Sequence, residues 1–165
     1  MKGVRLHGLL AASAFCGLLA LGQSFIVPTV LVNCPHRRAD LFLLMKLEGY
    51  DIHTFNADLD RVNVEMRGLL IKGVLDSAAW STIPENERSR YEVEVTGSRG
   101  DRATFTLAEL EPGSFSKRVW LVLRRGPRPL ANKATPMLVV VDGDGVVTQT
   151  VPAVESIRVT ELAVP

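Results

Sequence analysis

Few residues in this chain stand together in a way that chemistry can use. Cys34 is followed by Pro35 and His36, a thiol beside an imidazole, the pairing that an activated nucleophile or a soft-metal ligand needs. Neighbours in sequence do not by that fact face one another, so this spacing alone fixes no site. Arg99-Gly100-Asp101 is the cell-adhesion tripeptide, yet Gly and Asp also make a turn on their own account. Asp142-Gly143-Asp144-Gly145 spaces its carboxylates as the start of a calcium loop does. Strand-like VVTQTV follows at once where a later Glu is needed, so an Asp-Gly hairpin explains it better. His53 has no second His or Cys at ligand spacing. Glu92 and Glu94 share one side of a strand, where alternation with Tyr91, Val93 and Val95 describes a solvated face rather than an acid pair. With no Gly-x-Ser-x-Gly elbow, phosphate loop or dinucleotide fingerprint, the residues assign no catalytic group and no metal site.

Charge narrows the partners. The 165 residues carry 19 Lys+Arg and 18 Asp+Glu, a balance with no field for a polyanion, so nucleic acid is not an expected partner. At 47% hydrophobic and 22% charged residues, the composition is that of a folded domain, and the length suits one.

Part of the apolar material belongs to the front end. Lys2 and Arg5 precede LLAASAFCGLLAL at Leu9–Leu21, which has the form of a secretory signal, with small residues leading to cleavage after Gly22. Cleavage removes both of those cations, leaving 17 basic against 18 acidic residues. Between Arg5 and Arg37 there is no Lys, Arg, Asp or Glu, because FIVPTVLV continues the run, so retention as a membrane anchor is the alternative fate. Either way the expected location is periplasmic or secreted. Cys16 leaves with a cleaved signal, and Cys34 remains as a single thiol with no internal partner.

The elements that must position any site begin, on this reading, at Leu41. The segment 1–22 is signal or anchor, 23–40 a spacer, and 41–165 the domain. LFLLMKL at 41–47 reads as a buried strand with a return at Asp51–Phe55. Asn56 reads as the N-cap of a short helical turn through Asp60. Val62–Met66 alternates as a strand, and the apolar spacing from Leu69 to Ala79 predicts a helix. Tyr91–Thr96 and Arg102–Phe105 form a hairpin about Gly97–Asp101, and Thr106-Leu107-Ala108-Glu109 is a capping box. Strands follow at 119–124, 137–141, 146–151 and 156–162. The class is α+β, mostly β, with short helices.

The order of elements from Phe42 to Leu162 resembles the oxidoreductase molybdopterin-binding domain, the sulfite-oxidase fold, in a small secreted form. GYDIHTFNADL at Gly49–Leu59 is similar to the family's opening strand and "T-x-x-D-L" helix. Gly73–Ala78 is similar to its "G-V-x-L-x-x-L-L" helix, and Tyr91–Leu110 to the hairpin and turn that follow. Val119–Leu162 is similar to the closing section, with Arg128-Pro129-Leu130, Pro136, Asp142, Val154 and Ile157 at its marks. The resemblance implies a pterin cofactor whose molybdenum is bound by a cysteine ahead of the "G-V-x-L" helix. Val62–Lys72 holds no Cys, while Cys34 in VLVNCPHRR echoes the family's "C-x-x-N-R" context with Arg37 and Arg38 behind it. The expectation is therefore a degenerate domain without cofactor, acting as a binding or accessory module for a small ligand or a periplasmic or membrane protein. The alternatives are a catalytic molybdopterin oxidoreductase with Cys34 on the metal, and an adhesion or structural β-domain using Arg99–Asp101.

Overall fold

The computed structural model describes residues 28–35, 42–47, 49–111, 117–129 and 136–163. The signal or anchor segment, its cleavage point, Arg37, Arg38 and most of the expected spacer lie outside them. The described residues fold as two β-sheets with one short helix and three 3-10 turns among them, the mostly β class that the alternating sequence predicts.

The first sheet is built from β1 (Thr29–Asn33), β2 (Phe42–Lys46), β5 (Tyr91–Gly97), β6 (Arg102–Thr106) and β11 (Val154–Glu161), in the order β2-β1-β11-β5-β6. β1 runs parallel to β11, while every other neighbouring pair in this sheet is antiparallel. Val30, Val32, Val93, Val95, Ile157 and Val159 are buried on its inner side. Glu92, Glu94, Arg102 and Arg158 fall at the alternate positions, and Arg102 donates to Glu94 at 3.2 Å. Period-two sequence has thus become one apolar and one charged face.

The second sheet contains β3 (His53–Leu59), β4 (Val62–Leu70), β7 (Arg118–Arg125), β8 (Arg128–Pro129), β9 (Met137–Val141) and β10 (Val147–Val151). Its order is β10-β9-β7-β4-β3, with β8 paired to β7. The ends of this sheet approach each other. Asp58 of β3 forms an isolated bridge with Val146, and its N–H donates to the Gly145 carbonyl at 2.9 Å. The curling encloses a second core, Ala57, Met66, Trp120, Val122, Val139 and Val141, on the side away from the first sheet. Both faces of β7 and β9 are therefore buried, which is why they read as unbroken apolar runs, VWLVL and MLVVV, rather than alternating ones.

The main core lies between the sheets, where Leu69, Leu121, Leu138 and Val140 meet the inner face of the first. Helix α1 (Ile71–Ser77) continues directly from β4 and adds Ile71, Val74 and Leu75 to that core. It ends where Ala79 takes a left-handed conformation at φ 70°. Gly68 precedes it at an irregularity in the β4–β7 pairing, where Leu123 of β7 has no partner in β4. A Cβ at Gly68 would stand 2.5 Å from the Leu121 carbonyl oxygen, so the two strands can meet there only if that residue is glycine.

Three expectations are corrected. The strand expected to be buried at 41–47 is β2, a partly exposed edge strand with Leu44 at 61% exposure, and the segment after it enters the second sheet rather than returning beside it. Thr29–Asn33, placed in the spacer by the sequence, is an interior strand of the first sheet, with Val30 and Val32 at 1% and 0% exposure. The domain therefore starts before residue 41, and the apolar character of VLV serves the core. Asn56 caps no helix; it lies inside β3, paired with Glu65. Phe55, Ala57 and Leu59 pack on the second core while Asn56 and Asp58 are exposed, and this alternation overrides a local Asn-x-Asp capping pattern. Among the described residues no helix is long and apolar enough to cross a membrane.

Candidate functional site

A cleft of about 490 Å³ opens on the second sheet, within the size range of small-molecule sites. Five chain segments converge on it: Phe55 and Asn56 of β3, Leu70–Lys72 at the β4–α1 junction, Glu109–Glu111, Lys117–Trp120 at the entry to β7, and the turn around Asp142–Gly145. Two of them are placed by features readable in the local sequence. The capping box is formed, with Glu109 N–H donating to Thr106 Oγ1 at 3.2 Å and Thr106 N–H donating to the Glu109 carboxylate at 2.6 Å. It turns the chain at the end of β6 and presents Glu109 and Glu111 to the cleft. The Asp142 carboxylate accepts from Asp144 N–H at 3.0 Å and Val146 N–H at 2.8 Å, an Asx turn completed by Gly145 at φ 84°.

The apolar wall is aromatic. Phe55 stacks on Trp120 with ring centroids 4.3 Å apart and 21° between planes. His53 meets the same indole edge-on at 6.1 Å and 71° and lies 3.6 Å from the Asp51 carboxylate. A smaller hollow of about 250 Å³, lined by Tyr50, Asp51, His53 and Asp76 among others, shares Leu70 and Lys72 with the cleft. Lys72 thus stands between the two.

The polar wall is organised from behind by Arg88, which is 9% exposed. Its Nε donates to the Ile83 carbonyl at 2.9 Å and Nη2 to the Ser81 carbonyl at 3.3 Å, while Nη1 pairs with Glu111. Lys72 Nζ lies 2.8 Å from the Asp76 carboxylate and 3.6 Å from Glu111. Each of the carboxylates Glu109, Glu111 and Asp142 therefore already holds an internal donor. Lys117 and Arg118 are exposed and enter no ion pair among the described residues.

Of the residues singled out by sequence, Asp142, Gly143 and Gly145 line the cleft and His53 packs on its Trp120, while the others are dispersed. Arg99, Gly100 and Asp101 form the exposed tip between β5 and β6, where Gly100 N–H donates to the Gly97 carbonyl and Gly97 N–H to the Asp101 carbonyl, both at 2.9 Å. Glu92 and Glu94 stay on the outer face of the first sheet. Cys34 follows the end of β1 as a half-buried free thiol packed against the main core, and it lines none of the hollows described. A molybdenum ligand needs a thiol that opens on a cleft with cations for the pterin phosphate, and the described surroundings of Cys34 do not fit that role. Among the described residues no group of three His, Cys, Asp or Glu side chains could hold a metal ion. The sequence reading missed Phe55, Lys72, Lys117, Arg118 and Trp120. The adjacent Lys117-Arg118 at the mouth of an apolar strand was the visible signal, but the spacing did not say what they face.

Beside Cys34 sits a buried polar junction. Asn33, 2% exposed, donates through Nδ2 to the Val159 carbonyl and accepts the Val159 N–H at Oδ1, both at 2.7 Å. The Asn33 carbonyl accepts the Trp80 indole N–H at 2.7 Å. The side-chain amide replaces a backbone pair between β1 and β11, and Trp80 ties that junction to the turn after α1.

Comparison with known proteins finds no family model that matches this chain and no curated protein similar to it.

Proposed function

We propose that this chain is an exported binding module, a molybdopterin-binding-like domain of the sulfite-oxidase type that works without molybdenum and holds a small ligand in the cleft over Trp120. The cleft carries the reading: an aromatic wall, a fixed polar wall and a volume suited to one small molecule, with Cys34 elsewhere. The cationic n-region and apolar run at Leu9–Leu21 support export, and two sheets with short helices agree with the family's general make-up. Binding rather than catalysis fits a cleft whose carboxylates are already engaged by internal donors.

The test is metal analysis and fractionation of the protein from its native compartment. Recovery outside the cytoplasm with substoichiometric molybdenum is expected. Stoichiometric molybdenum that disappears in Cys34→Ala overturns the reading in favour of an oxidoreductase. The exposed Arg99–Asp101 tip favours adhesion as a second reading, and cell attachment that is unchanged in Asp101→Glu removes it.

A further inference from the structure

We infer that the ligand of this cleft is an organic anion, a carboxylate or phosphate carried on an apolar body, held by Lys117 and Arg118 above Phe55 and Trp120. The inference rests on reading the cleft as a ligand site and goes further by naming the ligand's chemistry.

Glu109 is held by both the backbone and the hydroxyl of Thr106, Glu111 by Arg88 and Lys72, and Asp142 by two backbone N–H groups of its own turn. Lys72 is likewise engaged, by both oxygens of Asp76. Glu109 and Asp142 are each held through one oxygen only, by neighbours in their own turns, whereas the Lys117 ammonium and the Arg118 guanidinium enter no described ion pair at all. The segment joining Glu111 to Lys117 is Pro-Gly-Ser-Phe-Ser, which has no carboxylate to offer them. Arg118 falls on the same side of β7 as Trp120, two residues on, so a planar anion paired with the guanidinium leads its apolar remainder onto the aromatic wall. A neutral apolar ligand uses only that wall.

Calorimetric titration of the protein purified from its native compartment tests this with 4-phenylbutyrate, phenyl phosphate and the neutral 4-phenylbutyramide, against wild type and Lys117→Gln/Arg118→Gln. At least one anion is expected to bind about tenfold or more tightly than the amide, an advantage typical of a charged partner. The double variant should lower anion affinity to that of the amide, and added salt should weaken the anions alone. The stronger of the two anions identifies the headgroup. Equal binding of anion and amide, with Trp120 emission responding to both, overturns the anion inference and leaves the cleft as a site. Anion binding untouched by the double variant also overturns it. If no probe binds and Trp120 emission does not move, the inference and the cleft reading fall together.

Discussion

Two polar regions of this molecule use similar groups to opposite ends. At the β1–β11 junction, Asn33 exchanges two hydrogen bonds with Val159 and a third with Trp80, and nothing faces solvent. Around the cleft, Arg88, Lys72, Glu109 and Asp142 are similarly engaged, yet Lys117 and Arg118 stand outside the arrangement. A closed set of partners is architecture, because every desolvated group is compensated inside the fold. A set with donors left over does not stabilise the fold, and it is available to something else. Ionic residues alone would not separate the two regions; the accounting of partners does.

Breaking the closed region should have the largest effect. Asn33→Leu leaves the Val159 N–H and carbonyl buried without partners, a loss of about 4 kcal/mol at one to three per group, read as a lowered urea midpoint. Arg88→Met comes next. It leaves Glu111 with Lys72 alone and strands two carbonyls, costs about 3 kcal/mol, and should also weaken anion binding, because a less neutralised Glu111 then faces the cleft. Thr106→Ala removes the hydroxyl half of the capping box at about 1 kcal/mol while the backbone N–H at 106 still holds the Glu109 carboxylate, so thermal unfolding should show a modest drop. Lys117→Gln with Arg118→Gln should change stability by no more than about 0.5 kcal/mol, as exposed sites do, while carrying the loss of anion binding. A large destabilisation by that last pair would erase the distinction, since it would make the two cations part of the architecture.

The parts of the fold legible in sequence are those governed by neighbours along the chain. The Tyr91–Thr106 hairpin, the capping box at Thr106–Glu109 and the Asp142–Gly145 turn form as their residues predict, because each is closed by hydrogen bonds within a few positions. The β1 strand was not legible. Its Val-Leu-Val continues an uncharged stretch from the N-terminus, and only pairing with β11, more than a hundred residues away, distinguishes a core strand from an extension of that stretch. Asn56 shows the converse, since a local capping pattern yields to the burial of Phe55, Ala57 and Leu59 on the second core.

The candidate site divides in the same way. Every residue of the cleft is visible in sequence, and Lys117-Arg118 before VWLVL could be noticed there. That they share a cleft with the Phe55–Trp120 stack is decided by the curling of the second sheet, which brings β3 to the turn before β10.

The sequence by itself determined the charge balance, the mostly β class and the turns, because periodicity and hairpin chemistry are local. Tertiary structure alone decided that Thr29–Asn33 belongs to the core, that Cys34 packs against that core, and which of the described charged groups are already paired. Pairing is a relation between distant segments, and its energy depends on burial and distance, which no spacing along the chain encodes.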